Sequence, residues 1–162
     1  MEGTAYTGFM LEARRASLWN RTYNITVDGV SVVTWKGSLW KSGGQFEVGG
    51  RRYVVTSNAF ATSYEMVDQT GMVVASARRV GRKNWTVEAE GRTHQFRRAS
   101  MWREEQELLV DGQRVGSVRR PSLWRTDAVA DLPTLPLATQ IFVLCVVLTM
   151  WDNAATVAAA SG

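Results

Sequence analysis

The sequence is poor in the side chains on which catalysis and metal binding most often depend. Among its 162 residues, Cys145 is the only cysteine and His94 is the only histidine, which excludes an internal disulfide and the usual zinc ligand sets. Cys145 lies in the most apolar run of the chain, as expected of a core residue. Glu88 and Glu90 recur at the two-residue period of a strand, on the face that we expect to meet solvent. We therefore predict a protein that is not an enzyme, with no catalytic residues, metal site or cofactor.

Lysine is scarce, and the sequence has no long run of one charge sign. The positive charge comes from arginine except at Lys36, Lys41 and Lys83, and the net charge is +4. Arginine favours bidentate contacts with phosphates and carboxylates. The aromatic signature of RNA-recognition domains, zinc-finger spacings and helix-turn-helix patterns are missing, so we do not expect nucleic acid binding. The first residues contain no basic segment followed by an apolar one, so we expect no secretory signal and a cytoplasmic protein.

What the sequence does have, up to about residue 130, is apolar and polar residues alternating in short runs between turn signals. In one such run Tyr23 and Ile25 fall on one face and Asn24 on the other. The run ends at Asp28-Gly29, a strong hairpin signal because both residues tolerate a positive φ. Equivalent turns follow at Gly49-Gly50, Asp68–Gly71, Glu90-Gly91 and Asp111-Gly112.

These five turns predict five hairpins and therefore ten strands. A leading strand near Thr7–Ala13 and a trailing strand near Leu123–Ala128 raise the number to about twelve, spread over residues 5–130.

A short motif occurs four times. Arg15-Ala16-Ser17-Leu18-Trp19 returns as Arg98-Ala99-Ser100-Met101-Trp102, with looser copies at Lys36–Trp40 and Arg120–Trp124. The favoured interpretation is a corner device in which the serine bonds local backbone, the tryptophan plugs an end of the fold and the basic residue caps it. The alternative is a ring of arginine and tryptophan that binds phosphates or lipid headgroups.

The C-terminal segment follows a different pattern. Two prolines, Pro133 and Pro136, precede an uncharged apolar run that predicts a helix over about 136–152, followed by a flexible tail at 153–162. A helix that is apolar all round is either buried or inside a membrane. Its 15 most apolar residues, 137–151, span about 22 Å, which is short for a bilayer core of about 30 Å. Burial is favoured, and a tail anchor stays open as an alternative.

The predicted number of strands accounts for the burial of the apolar helix, and the helix accounts for what fills so large a barrel. A barrel larger than eight strands leaves a lumen, and about twelve strands enclose enough space for one helix. We therefore predict a single domain over residues 1–162, a closed antiparallel barrel of about twelve strands around a central hydrophobic helix.

The chain resembles the Tubby C-terminal-like superfamily, in the branch of LURP-one-related and phospholipid-scramblase-like proteins, and looks most like its bacterial members. The resemblance rests on the successive hairpins with Asp-Gly turns and on the order of three stretches: Arg-Arg-Ala-Ser-Leu-Trp at 14–19, Val-Asp-Gly-x-x-Val-Gly-Ser at 110–117, and Asp-Leu-Pro-x-Leu-Pro at 131–136 followed by the apolar helix and Trp151. It implies a twelve-stranded barrel around a central helix. It also implies phosphoinositide binding, lipid transfer between leaflets or a role in stress. No acidic calcium-type loop and no specific phosphoinositide-binding pair of this family is found here.

The leading functional hypothesis is a binding module for an anionic ligand or a phospholipid headgroup at a membrane surface. The expected partner is an anionic phospholipid or a phosphorylated small ligand, with peripheral membrane contact. The alternatives are a structural or protein-interaction scaffold with a protein partner, and a tail-anchored membrane protein. The candidate ligand-binding residues are three basic pairs in the middle third of the chain: Arg51, Arg52, Arg78, Arg79, Arg82 and Lys83.

Overall fold

A computed structural model describes residues 10–16, 22–37, 43–99, 104–121 and 128–161. Twelve strands precede one helix, so the predicted fold class is confirmed. The strands are β1 (Met10–Arg15), β2 (Thr22–Val27), β3 (Val30–Gly37), β4 (Gly43–Val48), β5 (Arg51–Ser57), β6 (Ser63–Asp68), β7 (Val73–Arg78), β8 (Asn84–Ala89), β9 (Arg92–Arg98), β10 (Gln106–Val110), β11 (Gln113–Arg119) and β12 (Ala128–Asp131).

The strands form one closed antiparallel barrel in which each strand pairs with its neighbours in sequence. Closure is made by β1 and β12, where Leu11 lies opposite Ala130. The trailing strand lies slightly later than expected, at Ala128–Asp131, and residues 123–127 fall outside the described residues. The same holds for the part of the expected leading strand before Met10.

Tight turns close one end of the barrel, which we call the turn end. In the first turn both central residues have positive φ, 49° at Asp28 and 84° at Gly29, as the hairpin signal predicts. The turns at Gly49-Gly50, Glu90-Gly91 and Asp111-Gly112 share this conformation. The fifth, between β6 and β7, is organised by Asp68, whose carboxylate accepts bonds from the backbone N–H groups of Thr70 and Met72.

The opposite end, which we call the loop end, carries the longer connections. The turn-end connections have two to four residues, whereas those between β1 and β2, β3 and β4, β5 and β6, β7 and β8, β9 and β10, and β11 and β12 have five to eight. Binding residues are found disproportionately on such loops, because a rigid scaffold positions them. The two ends of this barrel are therefore different surfaces.

The helix α1 (Leu137–Ser161) enters at the turn end and leaves at the loop end. Near its start, Pro136 and Ala138 line a depression together with Glu90 of a tight turn. Near the loop end, the indole N–H of Trp151 donates to the backbone carbonyl of Glu104 at 3.2 Å. Every residue from 141 to 149 is buried. The apolar helix is therefore the filling of the barrel, as the sequence predicts.

The barrel wall supplies the other half of this core. Inward side chains such as Tyr23, Trp35, Trp85 and Phe96 are at most 2% exposed, and they pack around the helix. Trp85 stacks on Phe96 with ring centroids 4.5 Å apart, and its indole N–H donates to the side chain of Gln106 at 2.8 Å. The large aromatic residues of the wall thus fill the part of the barrel interior that the helix does not occupy.

The predicted C-terminal end of the helix was wrong. The sequence predicts that the helix ends near residue 152 and that 153–162 form a tail, whereas the structure continues the helix to Ser161. The physical reason is composition: this segment is rich in alanine, the residue with the highest helix propensity, and contains no glycine or proline before Gly162. Residues 153–161 add about 13 Å of helix at 1.5 Å per residue.

Candidate functional site

Positive charge is concentrated at the loop end. Eleven described cations lie on the strand ends or connections of this end, while four lie near the turn end. We call the first set the basic rim. Its members are Arg14, Arg15, Lys36, Arg78, Arg79, Arg82, Lys83, Arg97, Arg98, Arg119 and Arg120, and the remaining four are Arg51, Arg52, Arg92 and Arg114.

The turn end carries the opposite balance. Its tight turns and strand ends hold seven described carboxylates: Asp28, Glu47, Asp68, Glu88, Glu90, Asp111 and Asp131. The modest net charge of the whole chain therefore hides a separation of charge along the barrel axis. A field of this kind attracts anions to the loop end and repels them from the turn end.

Some cations of the basic rim are neutralised by carboxylates. Arg15 meets Asp152 of the helix at 2.7 Å, and both side chains are mostly buried. The remaining described pairs lie on the barrel wall and its loop end: Arg97 with Glu107 at 3.3 Å, Arg120 with Glu104 at 3.6 Å, and Arg114, from the turn end, with Glu105 at 3.2 Å. Glu104, Glu105, Glu107 and Asp152 are thus already paired with arginines.

Four cations of the β7–β8 connection are different. Arg78, Arg79, Arg82 and Lys83 are exposed, and within the described part of the chain none has a carboxylate within 4.0 Å. Their backbone is ordered nonetheless, because the buried Val80 donates its N–H to the carbonyl of Thr62 on the neighbouring loop at 2.9 Å. The four cations, which make no ion pair with the described residues, are called the uncompensated cations below.

The six residues predicted from the sequence do not form one site. Arg78, Arg79, Arg82 and Lys83 come together at the loop end, whereas Arg51 and Arg52 begin β5 at the turn end. β5 has seven residues, which separates the two groups by about 20 Å at 3.3 Å per residue. The structure places the other seven cations of the basic rim at the same end as Arg78. Sequence reasoning did not group them because they lie far apart along the chain.

The basic residues of the repeated motif all lie at the loop end. Arg15, Lys36, Arg98 and Arg120 stand at or next to the ends of β1, β3, β9 and β11. Arg15 bonds to Asp152, and Arg120 lies over the ring of Trp151 with its guanidinium carbon 4.5 Å from the centroid. These two copies therefore fix the emerging helix to the wall. The Ser-apolar-Trp part of each copy lies outside the described residues.

The contact between Arg15 and the helix belongs to a small polar network. The hydroxyl of Tyr23 accepts from Arg15 at 2.7 Å and donates to Asp152 at 3.1 Å. Burial and the negative charge of Asp152 raise the pKa of Tyr23 well above its ordinary value, so the phenol stays protonated. This network stabilises the helix where it leaves the barrel.

The residues with the most reactive side-chain types lie away from the basic rim. Burial raises the pKa of Cys145, which is wholly inside the core, so its thiol stays protonated. Burial and then Arg92 lower the pKa of His94 on β9. Among the described residues, no group of three or more His, Cys, Asp and Glu side chains is arranged to hold a metal ion. The absence of catalysis stays a prediction.

The helix is also the one candidate for a membrane span in the part of the chain that the structure describes. The helical segment 137–160 is long and apolar enough to cross a bilayer, yet more than half of its most apolar stretch of 18 residues is buried inside the barrel. A helix cannot fill the barrel and span a bilayer at the same time. The tail-anchor alternative therefore requires the barrel to lose its core.

No family model matches this chain, and no curated protein or solved structure matches it either. The resemblance to the Tubby C-terminal-like superfamily stays a prediction. The fold of the chain is a twelve-stranded closed barrel around a C-terminal helix.

Proposed function

We propose that this protein binds the anionic surface of a membrane through the loop end of its barrel. The observation that carries the proposal is the separation of charge, with the basic rim at one end and the acidic turns at the other. Lipid phosphates suit the arginines of the rim, since a guanidinium donates two parallel hydrogen bonds to one phosphate. A cationic segment near an anionic leaflet gains about 1 kcal/mol per lysine or arginine.

The shape of the basic rim supports a surface rather than a small ligand. The cations lie at the ends of strands around the barrel. Because a ring of charges at one end of a barrel is broad, it can contact a flat surface at several points at once. The depression beside Arg82 and Arg98 has a volume of about 210 Å³ and is lined mostly by apolar groups. A second depression at this end, beside Arg78, measures about 340 Å³, within the range of about 300–1,000 Å³ that is usual for small-ligand pockets. Its charged lining is one cation, Arg78, with one carboxylate, Glu65, so it offers no excess of positive charge to a phosphate. A phosphorylated small molecule therefore fits this end less well than a layer of headgroups.

The larger depression, at the turn end, does not suit a phosphate. Its volume is about 750 Å³, and its charged lining is Arg51 with Asp68 and Glu90. Two carboxylates against one guanidinium give a negative balance, which repels an anion. Arg51 and Arg52, which the sequence predicts to bind ligand, are therefore excluded from the proposed site.

Vesicle flotation tests the proposal on the wild-type chain. We expect the protein to float with vesicles of phosphatidylcholine that contain phosphatidylserine, and to stay at the bottom with pure phosphatidylcholine. Binding should weaken as salt rises, because exposed charges are screened over about 8–10 Å at 0.10–0.15 M. Equal recovery with both vesicles at low salt contradicts the proposal, and so does binding to an RNA duplex without binding to anionic vesicles.

A further inference from the structure

The β5–β6 loop exposes an aromatic residue from an ordered backbone. Phe60 is 85% exposed, more than any other large apolar side chain among the described residues. Its loop is held by Asn58, whose side-chain oxygen accepts from the N–H groups of Thr62 and Ser63 at 2.9 and 3.1 Å. The Asn58 carbonyl accepts from the N–H of Ala61 at 3.1 Å, which closes the turn around Phe60. A phenylalanine that is mostly exposed on a hydrogen-bonded turn contributes little to the core of the barrel.

Phe60 lies at the loop end, beside the uncompensated cations. Its loop is joined to the β7–β8 connection by the bond from Val80 to Thr62. The tip of α1 leaves the barrel at the same end, where residues 154–160 are all exposed and uncharged. Val157 in this tip is 65% exposed. Two apolar projections thus stand next to a basic rim.

We infer that Phe60 and the tip of α1 insert into the boundary between the headgroups and acyl chains of an anionic bilayer, while the basic rim binds the phosphates. This inference rests on the proposed function and adds to it the depth and orientation of the bound barrel. Apolar side chains flanked by arginine and lysine are the pattern of interfacial membrane binding, in which buried apolar area and attraction to anionic lipid act together. Nucleic acid would use the charge but would leave the helix tip in water.

The inference separates two contributions to binding. The charge contribution falls with salt, whereas the apolar contribution persists. We expect Phe60→Ser to weaken partitioning into anionic vesicles by roughly tenfold or more at high salt, because the side chain no longer leaves water. The matched control is Met72→Ser, which removes a 66% exposed apolar side chain from the β6–β7 turn at the opposite end. This control should bind as the wild type does.

A fluorescent label gives a direct readout. The one native thiol, Cys145, is fully buried, so a cysteine introduced at the surface reacts alone with an NBD maleimide. We expect the emission of NBD at position 60 (Phe60→Cys) to shift to the blue and to brighten with anionic vesicles. NBD at position 72 (Met72→Cys) should not change.

The outcomes distinguish the inference from the proposed function. If the wild type floats with anionic vesicles while NBD at position 60 stays in water, the barrel binds by charge alone. The inference that apolar side chains insert into the bilayer is then wrong. A blue shift at position 72 instead of position 60 also overturns the inference, because the turn end would then face lipid. If the wild type binds no anionic vesicle, the proposed function itself has failed.

Discussion

A chain that stops before Pro136 is expected not to fold. The truncation removes the helix residues that fill the barrel, and the twelve strands cannot close around an empty lumen. Burying one large apolar side chain contributes about 1.5–3 kcal/mol, so seven contribute more than about 10 kcal/mol, comparable with the whole stability of a domain. The seven side chains, each at most 1% exposed, are Ile141, Phe142, Val143, Leu144, Val146, Val147 and Leu148.

Near-ultraviolet circular dichroism and thermal unfolding measure this effect. The matched control is a chain that stops after Asn153, which keeps Trp151 and Asp152 with their contacts and removes the exposed tip. We expect the control to unfold cooperatively and the shorter chain to show neither fixed aromatic packing nor a transition. A soluble, cooperatively folded chain 1–135 means that the helix is an appendage such as a tail anchor, and it contradicts the barrel core.

Neutralising one pair of arginines at the loop end is expected to weaken membrane binding about 30-fold. The double variant Arg78→Gln with Arg79→Gln removes two exposed charges of the basic rim. At about 1 kcal/mol for each cation near an anionic surface, the loss is about 2 kcal/mol, which corresponds to the 30-fold change. The partition coefficient for vesicles containing phosphatidylserine, measured by flotation at constant salt, gives this number.

The chain supplies an equivalent pair for comparison. Arg51 and Arg52 are also adjacent, exposed and on the wall of the same barrel, but they lie at the turn end. The variant Arg51→Gln with Arg52→Gln has the same net charge as the first variant, so a general effect of net charge would weaken both equally. We expect it to bind within about threefold of the wild type, because its charges lie more than a Debye length from the bilayer. Equal losses in both variants rule out an oriented barrel.

The turns and strands were predictable because local chemistry determines them. Asp28-Gly29 and the turns at 49–50, 90–91 and 111–112 adopt positive φ at both residues, and alternation then assigns Tyr23 and Ile25 to the inside. The end of the helix was not predictable from its apolar pattern, because the pattern stops at Trp151 while alanine continues the backbone conformation.

The candidate site was only half predictable, for a topological reason. Arg51 begins β5 and Arg78 ends β7, so the chain crosses the barrel three times between them. Because an odd number of crossings leads to the opposite end, the two arginines lie at opposite ends of the barrel. Successive connections of the barrel lie alternately at its two ends, and this alternation is the signal that could have grouped the cations. Arg15, Arg78 and Arg98 each end an odd-numbered strand, so all three lie at the loop end. Phe60 could not be identified, since a lone phenylalanine between alanines has no periodic neighbour that marks it as exposed.

Hydrogen exchange of the unmodified chain, with and without anionic vesicles, tests most directly the claim that the loop end lies on the membrane. We expect slower exchange in residues 58–62, 79–83 and 153–161 when vesicles are present, because these segments carry Phe60, the uncompensated cations and the helix tip. The turns at 28–29, 49–50, 90–91 and 111–112 should exchange as they do in solution. Protection that appears at these turns, or that spreads evenly over both ends of the barrel, contradicts the account.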